Sequence, residues 1–157
     1  MYAFDYVKPA SAAEAVSAAD EETRYLAGGQ SLVQSMRLRL ASASKLIDLG
    51  AIPDLVGITV EQGSVRIGAM TTHAAVAASP EVRQAIPALA ELAGGIGDPM
   101  VRNMGTIGGS LANADPAACY PAGVLGLGAT IQTDRREIPA DDFFRGLYET
   151  ALEPGEL

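Results

Sequence analysis

Two glycine-rich segments hold the residues whose types and spacing could bind a ligand. The first is Ala-Gly-Gly-Gln-Ser at residues 27–31, between an apolar run and a segment with helical spacing. A glycine pair can adopt positive φ values and bring the backbone close to a ligand, so successive N–H groups of such a turn can converge on an anion. Gln30 and Ser31 could add side-chain donors. A tight turn between a strand and a helix, with no ligand, fits the same spacing.

The second segment, residues 102–116, is long, rich in glycine and poor in charge. It also carries hydroxyl, amide and carboxyl side chains at Thr106, Ser110, Asn113 and Asp115. We expect a structureless loop here, and a loop of that length inside a small domain usually has a function. Hydroxyls and amides suit contacts to ribose, ribityl and phosphate groups. The alternative is a glycine-rich packing seam.

The rest of the sequence offers little other chemistry. Cys119 and His73 are the one cysteine and the one histidine of the chain, so these residues cannot build an iron–sulfur or zinc site, and no metal site is predicted. No G-x-G-x-x-G follows a strand and no P-loop motif occurs. We find no acid–base pair and no nucleophile. His73 is predicted to have a structural, capping role at the start of a helix rather than an acid–base role. Arg37, Arg39 and Arg102 could neutralise phosphate charge, or could face solvent or a partner.

The elements that must position these segments follow from the apolar patterning. Residues 1–56 are predicted to form a small lobe with the order β-α-β-turn-α-β, in which Ser11 and Glu14 form a capping box. Residues 57–157 are predicted to form a second lobe. It begins with a β-hairpin, continues with short helices that start at Thr71 or Thr72, Ser79 and Pro87, and ends with two strands and one last turn.

Composition limits the classes of partner. The chain has 157 residues, 48% apolar, and a formal charge of −8, which argues against nucleic acid because phosphate backbones need clustered Lys and Arg. No apolar run approaches the ~20 residues of a membrane span, and the first residues lack the features of a secretory signal. We therefore expect a cytoplasmic protein without a membrane span.

Several stretches of the chain, in order, resemble one known family. These are residues 25–32, 36–40, 46–49 and 72–74, and above all Val-Arg-Asn-Met-Gly-Thr-Ile-Gly-Gly-Ser-Leu-Ala-Asn-Ala-Asp-Pro-Ala at 101–117. The sequence is similar to the FAD-binding medium subunits of molybdenum hydroxylases, which include aerobic carbon monoxide dehydrogenase and the xanthine dehydrogenase family. The resemblance covers the whole chain.

The resemblance implies an α+β, two-lobed, PCMH-type (vanillyl-alcohol-oxidase-like) fold with FAD between the lobes. The implied FAD-binding residues are Ala27, Gly28, Gly29, Gln30, Ser31, Thr106, Gly108, Gly109, Ser110 and Asp115. Backbone amides of both glycine turns would hold the pyrophosphate, and Asp115 would lie near the ribose or shape its loop. No catalytic residue is implied, because the cofactor carries the chemistry.

The resemblance also implies an oxidoreductase complex. A large molybdopterin subunit would oxidise the substrate. Electrons would pass through [2Fe–2S] clusters of a small subunit to this FAD, and then to an external electron acceptor. Two alternatives remain open, namely a free-standing flavin oxidase of the same fold and a truncated non-catalytic remnant or interaction module.

Two departures from the family pattern affect the expected flavin site. Relatives usually carry an aspartate that reaches the flavin where this chain has Cys119, which is expected either to be a small buried thiol or to be redox-active. Tyr120 beside it is expected in the core, or else stacked near the flavin. Family members also continue into a C-terminal domain that is absent here, so we expect a more exposed flavin ring and weaker FAD binding.

Overall fold

The computed structural model describes residues 1–157, and its first lobe has the predicted order of elements. The elements are β1 (Asp5–Val7), α1 (Ala12–Ala18), β2 (Thr23–Leu26), α2 (Leu32–Arg37) and β3 (Lys45–Asp48). The strands form a parallel sheet in the order β1-β3-β2, so the last strand along the chain lies in the centre. Leu26 pairs with Asp48, and the carboxyl ends of β2 and β3 therefore meet at one edge.

The central strand explains how the two helices cover this sheet. Ile47 is buried in a cluster with Ala15 of α1, whereas its neighbour Leu46 is buried in a different cluster with Met36 of α2. Adjacent residues of a strand point to opposite faces, so α1 and α2 cover opposite faces of the sheet. Two 3-10 turns, Leu49–Ala51 and Pro53–Leu55, then lead into the second lobe.

The N-terminus of α1 differs in one detail from the predicted capping box. Ser11 Oγ accepts from the Glu14 N–H at 3.2 Å, as predicted. The Glu14 carboxylate, however, accepts from the N–H of Ala10 at 2.9 Å rather than from that of Ser11. Both capping hydrogen bonds at the start of α1 are present, but the bond to the Glu14 carboxylate comes from the residue before Ser11.

The second lobe opens with the predicted hairpin. Strands β4 (Ile58–Glu61) and β5 (Ser64–Ile67) are antiparallel. Gln62 and Gly63 between them both have positive φ, as a two-residue turn of type I′ requires. Six short helices follow: α3 (His73–Ala78), α4 (Pro80–Ala85), α5 (Pro87–Gly95), α6 (Pro99–Met104), α7 (Ile107–Asn113) and α8 (Cys119–Gly126).

The end of the chain contains a hairpin that the sequence pattern did not predict. The elements are β6 (Thr130–Gln132), β7 (Glu137–Pro139), α9 (Ala140–Phe143), β8 (Phe144–Gly146) and β9 (Glu149–Thr150). The prediction of one last turn matches α9 but misses the pair β8 and β9. Their turn has Tyr148 at φ 56°, where no glycine or asparagine marks it, and the Tyr148 N–H donates to Ala114 O at 3.2 Å. A tertiary contact thus supports a turn that lacks the usual local signal.

The two predicted lobes share part of their packing. A large core in the second lobe includes Val76, Tyr120 and Phe143, all almost fully buried. Met70 and Leu157, both beyond the predicted boundary at residue 56, pack against the first-lobe cluster around Ile47. The division at residues 56 and 57 stays a prediction. No helix of the chain combines the length and the hydropathy that crossing a membrane requires.

Candidate functional site

A cavity of about 410 Å³ lies where the carboxyl ends of β2 and β3 face α6 and the start of α7. Ligands of open α/β sheets generally bind beyond the carboxyl ends of the strands. The wall formed by the first lobe consists of Leu26, Ala27, Gly28, Gly29, Val33, Asp48 and Gly50. The facing wall consists of Met70, Thr72, Asn103, Met104 and Thr106.

The turn after β2 presents a run of unused backbone donors. None of the N–H groups from Gly28 to Leu32 donates to an acceptor in the protein. Gly29 has φ 71°, a conformation that glycine adopts without strain. The only bond within the turn runs from Gln30 Nε2 to the Gly28 carbonyl at 3.3 Å. Successive free N–H groups beside a cavity are what the sequence predicts for an anion-binding turn.

The two glycine-rich segments contact each other through their backbones. A Cβ atom placed on Gly28 would overlap the carbonyl oxygen of Met104 and lie 2.7 Å from the Cα of Gly105. A Cβ placed on Gly109 would lie 3.2 Å from the Cβ of Ala27. The cavity therefore depends on two backbones that approach more closely than side chains would allow.

The second segment is not the structureless loop that we expected. It forms the end of α6, whose N-cap Asp98 precedes the segment, and the whole of α7, whose N-cap is Thr106. These caps, together with the burial of Ile107 and Leu111, offset the low helix propensity of its glycines.

Three predicted phosphate-binding N–H groups of this segment already have partners within the protein. Gly108 donates to Ala69 O at 2.8 Å, Gly109 to Thr106 Oγ1 at 3.1 Å, and Ser110 to Thr106 O at 3.0 Å. The structure thus gives these glycines the packing role that the sequence left open as an alternative. The run of free amides beside the cavity belongs to the first segment, and the N–H of Thr106 is a single free amide on the facing wall.

The ten predicted site residues divide into two groups. Ala27, Gly28, Gly29 and Thr106 line the cavity. The other six, Gln30, Ser31, Gly108, Gly109, Ser110 and Asp115, belong to the same two segments but do not line it. The Asp115 carboxylate accepts from the Ala117 N–H at 2.9 Å, which is consistent with a role in shaping its loop.

Asp48 is a site residue that the sequence reasoning missed. It carries the only ionisable side chain among the residues that line the cavity. Its Oδ1 accepts from the Gly50 N–H at 2.8 Å, its Oδ2 accepts from the Tyr6 hydroxyl, and Lys8 Nζ lies 4.0 Å away. The bond to the carboxylate raises the pKa of Tyr6. The clue in the sequence was that Asp48 lies near the end of the apolar run that forms β3, the strand that pairs with β2.

His73 does not cap a helix but is buried behind the cavity wall. Thr72 caps α3, while the His73 N–H donates to Gly105 O at 3.0 Å. The imidazole lies against Gly105, and its ring centroid is 5.2 Å from that of Tyr120. Neither His73 Nδ1 nor the Tyr120 hydroxyl has a hydrogen-bond partner. Tyr120 is fully buried in the large core of the second lobe, as expected.

The buried histidine predicts a pH dependence of stability. Burial lowers the pKa of His73 below 6.5, so the unfolded chain binds this proton more readily than the folded chain. The free energy of unfolding is therefore expected to decrease as pH falls below 6.5, and to be unaffected by this group above it. Denaturant unfolding at pH 7.5 and pH 5.5 measures the change. A His73→Gln variant should lose this dependence, and an equally steep dependence in the variant would rule out His73 as its source.

Cys119 and Arg102 occupy different environments from those expected. Cys119 is exposed at the start of α8, so the expectation of a small buried thiol is wrong. Arg102 donates to the carbonyls of Ile96 and Gly97, each at 2.8 Å, and so holds the chain that precedes α6. That role uses hydrogen-bonding capacity that the sequence reasoning had considered for phosphate.

Comparison with known proteins supports a common origin for this arrangement. Residues 2–157 match the family described as the FAD binding domain in molybdopterin dehydrogenase. The chain is 45% identical over 161 residues to the carbon monoxide dehydrogenase medium chain of Afipia carboxidovorans. It is 40% identical over 161 residues to the nicotine 6-hydroxylase medium subunit of Paenarthrobacter nicotinovorans. These alignments cover 98% and 99% of this chain, but 56% and 57% of the relatives.

Solved structures show the same fold. The reconstituted CO dehydrogenase from Oligotropha carboxidovorans matches 99% of this chain with a TM-score of 0.96 and 44% identity. The quinoline 2-oxidoreductase from Pseudomonas putida 86 matches 99% with a TM-score of 0.96 and 38% identity. In both cases the match covers 57% of the other chain. The predicted α+β flavin fold is confirmed, and the chain spans a little over half the length of these relatives.

Proposed function

This chain belongs to the family of FAD-binding domains of molybdopterin dehydrogenases, and we propose that it serves as the FAD-binding, electron-transfer part of a molybdenum hydroxylase. The observation that carries the proposal is the run of free N–H groups from Gly28 to Leu32, whose first two residues line the cavity. We propose that this turn binds the FAD pyrophosphate.

The character of the cavity suits a dinucleotide bound by dipoles rather than by cations. No Lys or Arg lines it, and the chain as a whole carries a formal charge of −8. Backbone N–H groups fixed in a turn can bind phosphate oxygens without a positive side chain. Thr106 and Asn103 add polar groups on the facing wall, while Leu26, Val33 and Met104 add apolar surface. Direct FAD contacts by Gln30, Ser31, Gly108, Gly109, Ser110 and Asp115 remain part of the proposal.

Bound FAD supplies redox chemistry that no side chain of this site could provide, and the protein supplies binding and orientation. We propose that electrons reach the flavin from [2Fe–2S] clusters of a small subunit and leave to an external acceptor. A large molybdopterin subunit would oxidise the substrate. Two observations support this division of roles. The relatives are named medium chains or medium subunits, and the 157 residues contain one cysteine, too few to hold a cluster.

Purification of the native assembly through a tag on this chain tests the electron-transfer role. We expect two further polypeptides, one with [2Fe–2S] absorption and one containing molybdopterin, and FAD released on denaturation. The ratio of iron, molybdenum and flavin to protein gives the stoichiometry. A chain that purifies alone with flavin and reacts directly with oxygen would instead be a free-standing oxidase. A chain that purifies alone without flavin would be a remnant that has lost the function.

A further inference from the structure

Asp48 places a negative charge next to the anion-binding turn. It pairs with Leu26 across neighbouring strands, whose backbones lie about 4.8 Å apart, and Gly28 follows Leu26 by two residues. A second phosphate group near this carboxylate would be repelled. Lys8 Nζ lies 4.0 Å from Oδ2 but is 55% exposed and does not hydrogen-bond to it, so it offsets this charge only in part. The part of FAD that meets Asp48 is therefore expected to be an uncharged part that donates hydrogen bonds.

The carboxylate is also held in a fixed orientation. Oδ1 accepts from the Gly50 N–H, at 2.8 Å, and Oδ2 accepts from the hydroxyl of Tyr6 on β1. The side chain is only 17% exposed, which leaves it little freedom to turn away. An ionised carboxylate offers about four acceptor sites over two oxygens, so each oxygen retains a lone pair beyond these bonds. Two oxygens with fixed, free lone pairs suit a pair of adjacent hydroxyl donors.

We propose that Asp48 binds the vicinal hydroxyls of the adenosine ribose of FAD and so makes the site select the dinucleotide over FMN. The inference rests on the proposed FAD binding. On FAD, hydroxyls flank the pyrophosphate on both sides, as ribose and as ribityl. The ribose diol is held rigid by its ring and matches a fixed carboxylate better than the flexible ribityl chain does. An acidic residue near a phosphate-binding turn binds the ribose in other dinucleotide folds as well.

The first test uses the unaltered full chain and ligands that lack single groups. Affinities for FAD, FMN, ADP, 2′-deoxy-ADP and 3′-deoxy-ADP are measured by isothermal titration calorimetry. Because hydrogen bonds to a charged group are strong, we expect ADP to bind on the order of 10-fold more tightly than either deoxy analogue. Equal affinities for ADP and both deoxy analogues would overturn the assignment.

The second test removes the charge of the carboxylate. Asp48→Asn keeps an acceptor for the Gly50 N–H. We expect this variant to bind FAD and ADP on the order of 10-fold more weakly, and to bind ADP no more tightly than its deoxy analogues. Its affinity for FMN should not change. The matched control is Asp54→Asn, which removes one negative charge from an exposed side chain six residues away and should leave all affinities unchanged.

The outcomes separate this inference from the proposed function. If Asp48→Asn weakens FMN as strongly as ADP, the carboxylate faces the ribityl side and the ribose assignment is wrong. If the unaltered chain binds neither FAD nor ADP, the proposed function itself fails, and this inference fails with it. The comparison of ADP with its deoxy analogues needs no variant, so equal affinities overturn the inference even if Asp48→Asn does not fold.

Discussion

Gly28→Ala is expected to weaken FAD binding by at least about 100-fold, which corresponds to about 2.7 kcal/mol. The new Cβ would overlap the carbonyl oxygen of Met104 and lie 2.7 Å from the Cα of Gly105. Both are backbone atoms and cannot rotate away, so the two glycine-rich segments must separate. Overpacking of this kind also lowers the free energy of unfolding, by about 1–3 kcal/mol. Titration with FAD and denaturant unfolding measure the two effects.

Two other glycines provide controls for this substitution. Gly95 lies at the end of α5, and a methyl group added to it would meet nothing within 4 Å, so Gly95→Ala should leave FAD affinity unchanged and alter stability by no more than about 1 kcal/mol. Gly29→Ala places a Cβ atom on a residue with φ 71°, 3.1 Å from the flexible Val33 side chain. This variant should lower the free energy of unfolding by about 1–2 kcal/mol. If Gly28→Ala binds FAD as the unaltered chain does, the close approach of the two segments is not what forms the site.

Glu156→Gln is expected to lower the free energy of unfolding by about 2 kcal/mol, because it removes the charge of a buried carboxylate that bonds to the partly exposed Arg136. The Glu156 side chain is fully buried and accepts from Arg136 Nε at 3.0 Å and Nη2 at 2.9 Å. It also accepts from the Thr133 hydroxyl at 2.7 Å and from the Glu153 N–H at 2.8 Å. Denaturant unfolding at neutral pH measures the loss.

Loss of the Glu156 ion pair is also expected to weaken the contact between the end of the chain and the first lobe. The residues on either side of it reach the first lobe and the β6–β7 turn. The Tyr25 hydroxyl donates to Gly155 O at 2.9 Å, and the Asp134 N–H donates to Leu157 O at 2.8 Å. Loss of the ion pair should therefore also release Leu157 from the first-lobe core. A rise in proteolysis near residue 150 in the variant would show this release.

A neighbouring glutamate provides a control for Glu156→Gln, and the pKa of Glu156 predicts the pH range in which the stabilisation is lost. Glu153→Gln alters a neighbouring side chain that is 59% exposed, and should lower the free energy of unfolding by about 0.5 kcal/mol or less. Hydrogen bonds from Arg136 lower the pKa of Glu156 from 4.5 to about 2. The stabilisation is therefore complete above pH 4.5 and is lost as pH falls towards 2. If Glu153→Gln and Glu156→Gln lower the free energy of unfolding equally, burial of the Glu156 carboxylate is not the source of the stabilisation.

The first lobe could be predicted from the sequence because its signals are local. Pro9, Gly28 and Gly50 delimit short apolar runs, and Ser11 marks the start of α1. The order of the strands could not be predicted in this way, because it depends on which runs pair. Asp48 was missed for that reason. It enters the cavity only because β3 lies between β1 and β2.

The glycine-rich composition of the second segment led to the wrong prediction of a loop. Its glycines and weak periodicity predicted a loop, yet tertiary burial of Ile107 and Leu111 forms a helix from it. Three N–H groups that were expected to bind phosphate are used in this arrangement: Gly108 donates to Ala69 O, and Gly109 and Ser110 donate to Thr106. Cys119 is a second case, because cysteines are usually buried whereas this one begins a helix at the surface. The family resemblance indicated two segments that do meet at the cavity, and their contact with FAD stays a prediction.

Direct titration of the purified chain with FAD tests the central claim, that the free amides of the Gly28–Leu32 turn bind a dinucleotide. We expect saturable binding of one FAD per chain, and competition by ADP. Gly28→Ala should abolish this binding while Gly95→Ala preserves it. An unaltered chain that unfolds cooperatively, and is therefore folded, but neither binds FAD nor responds to ADP would contradict the claim.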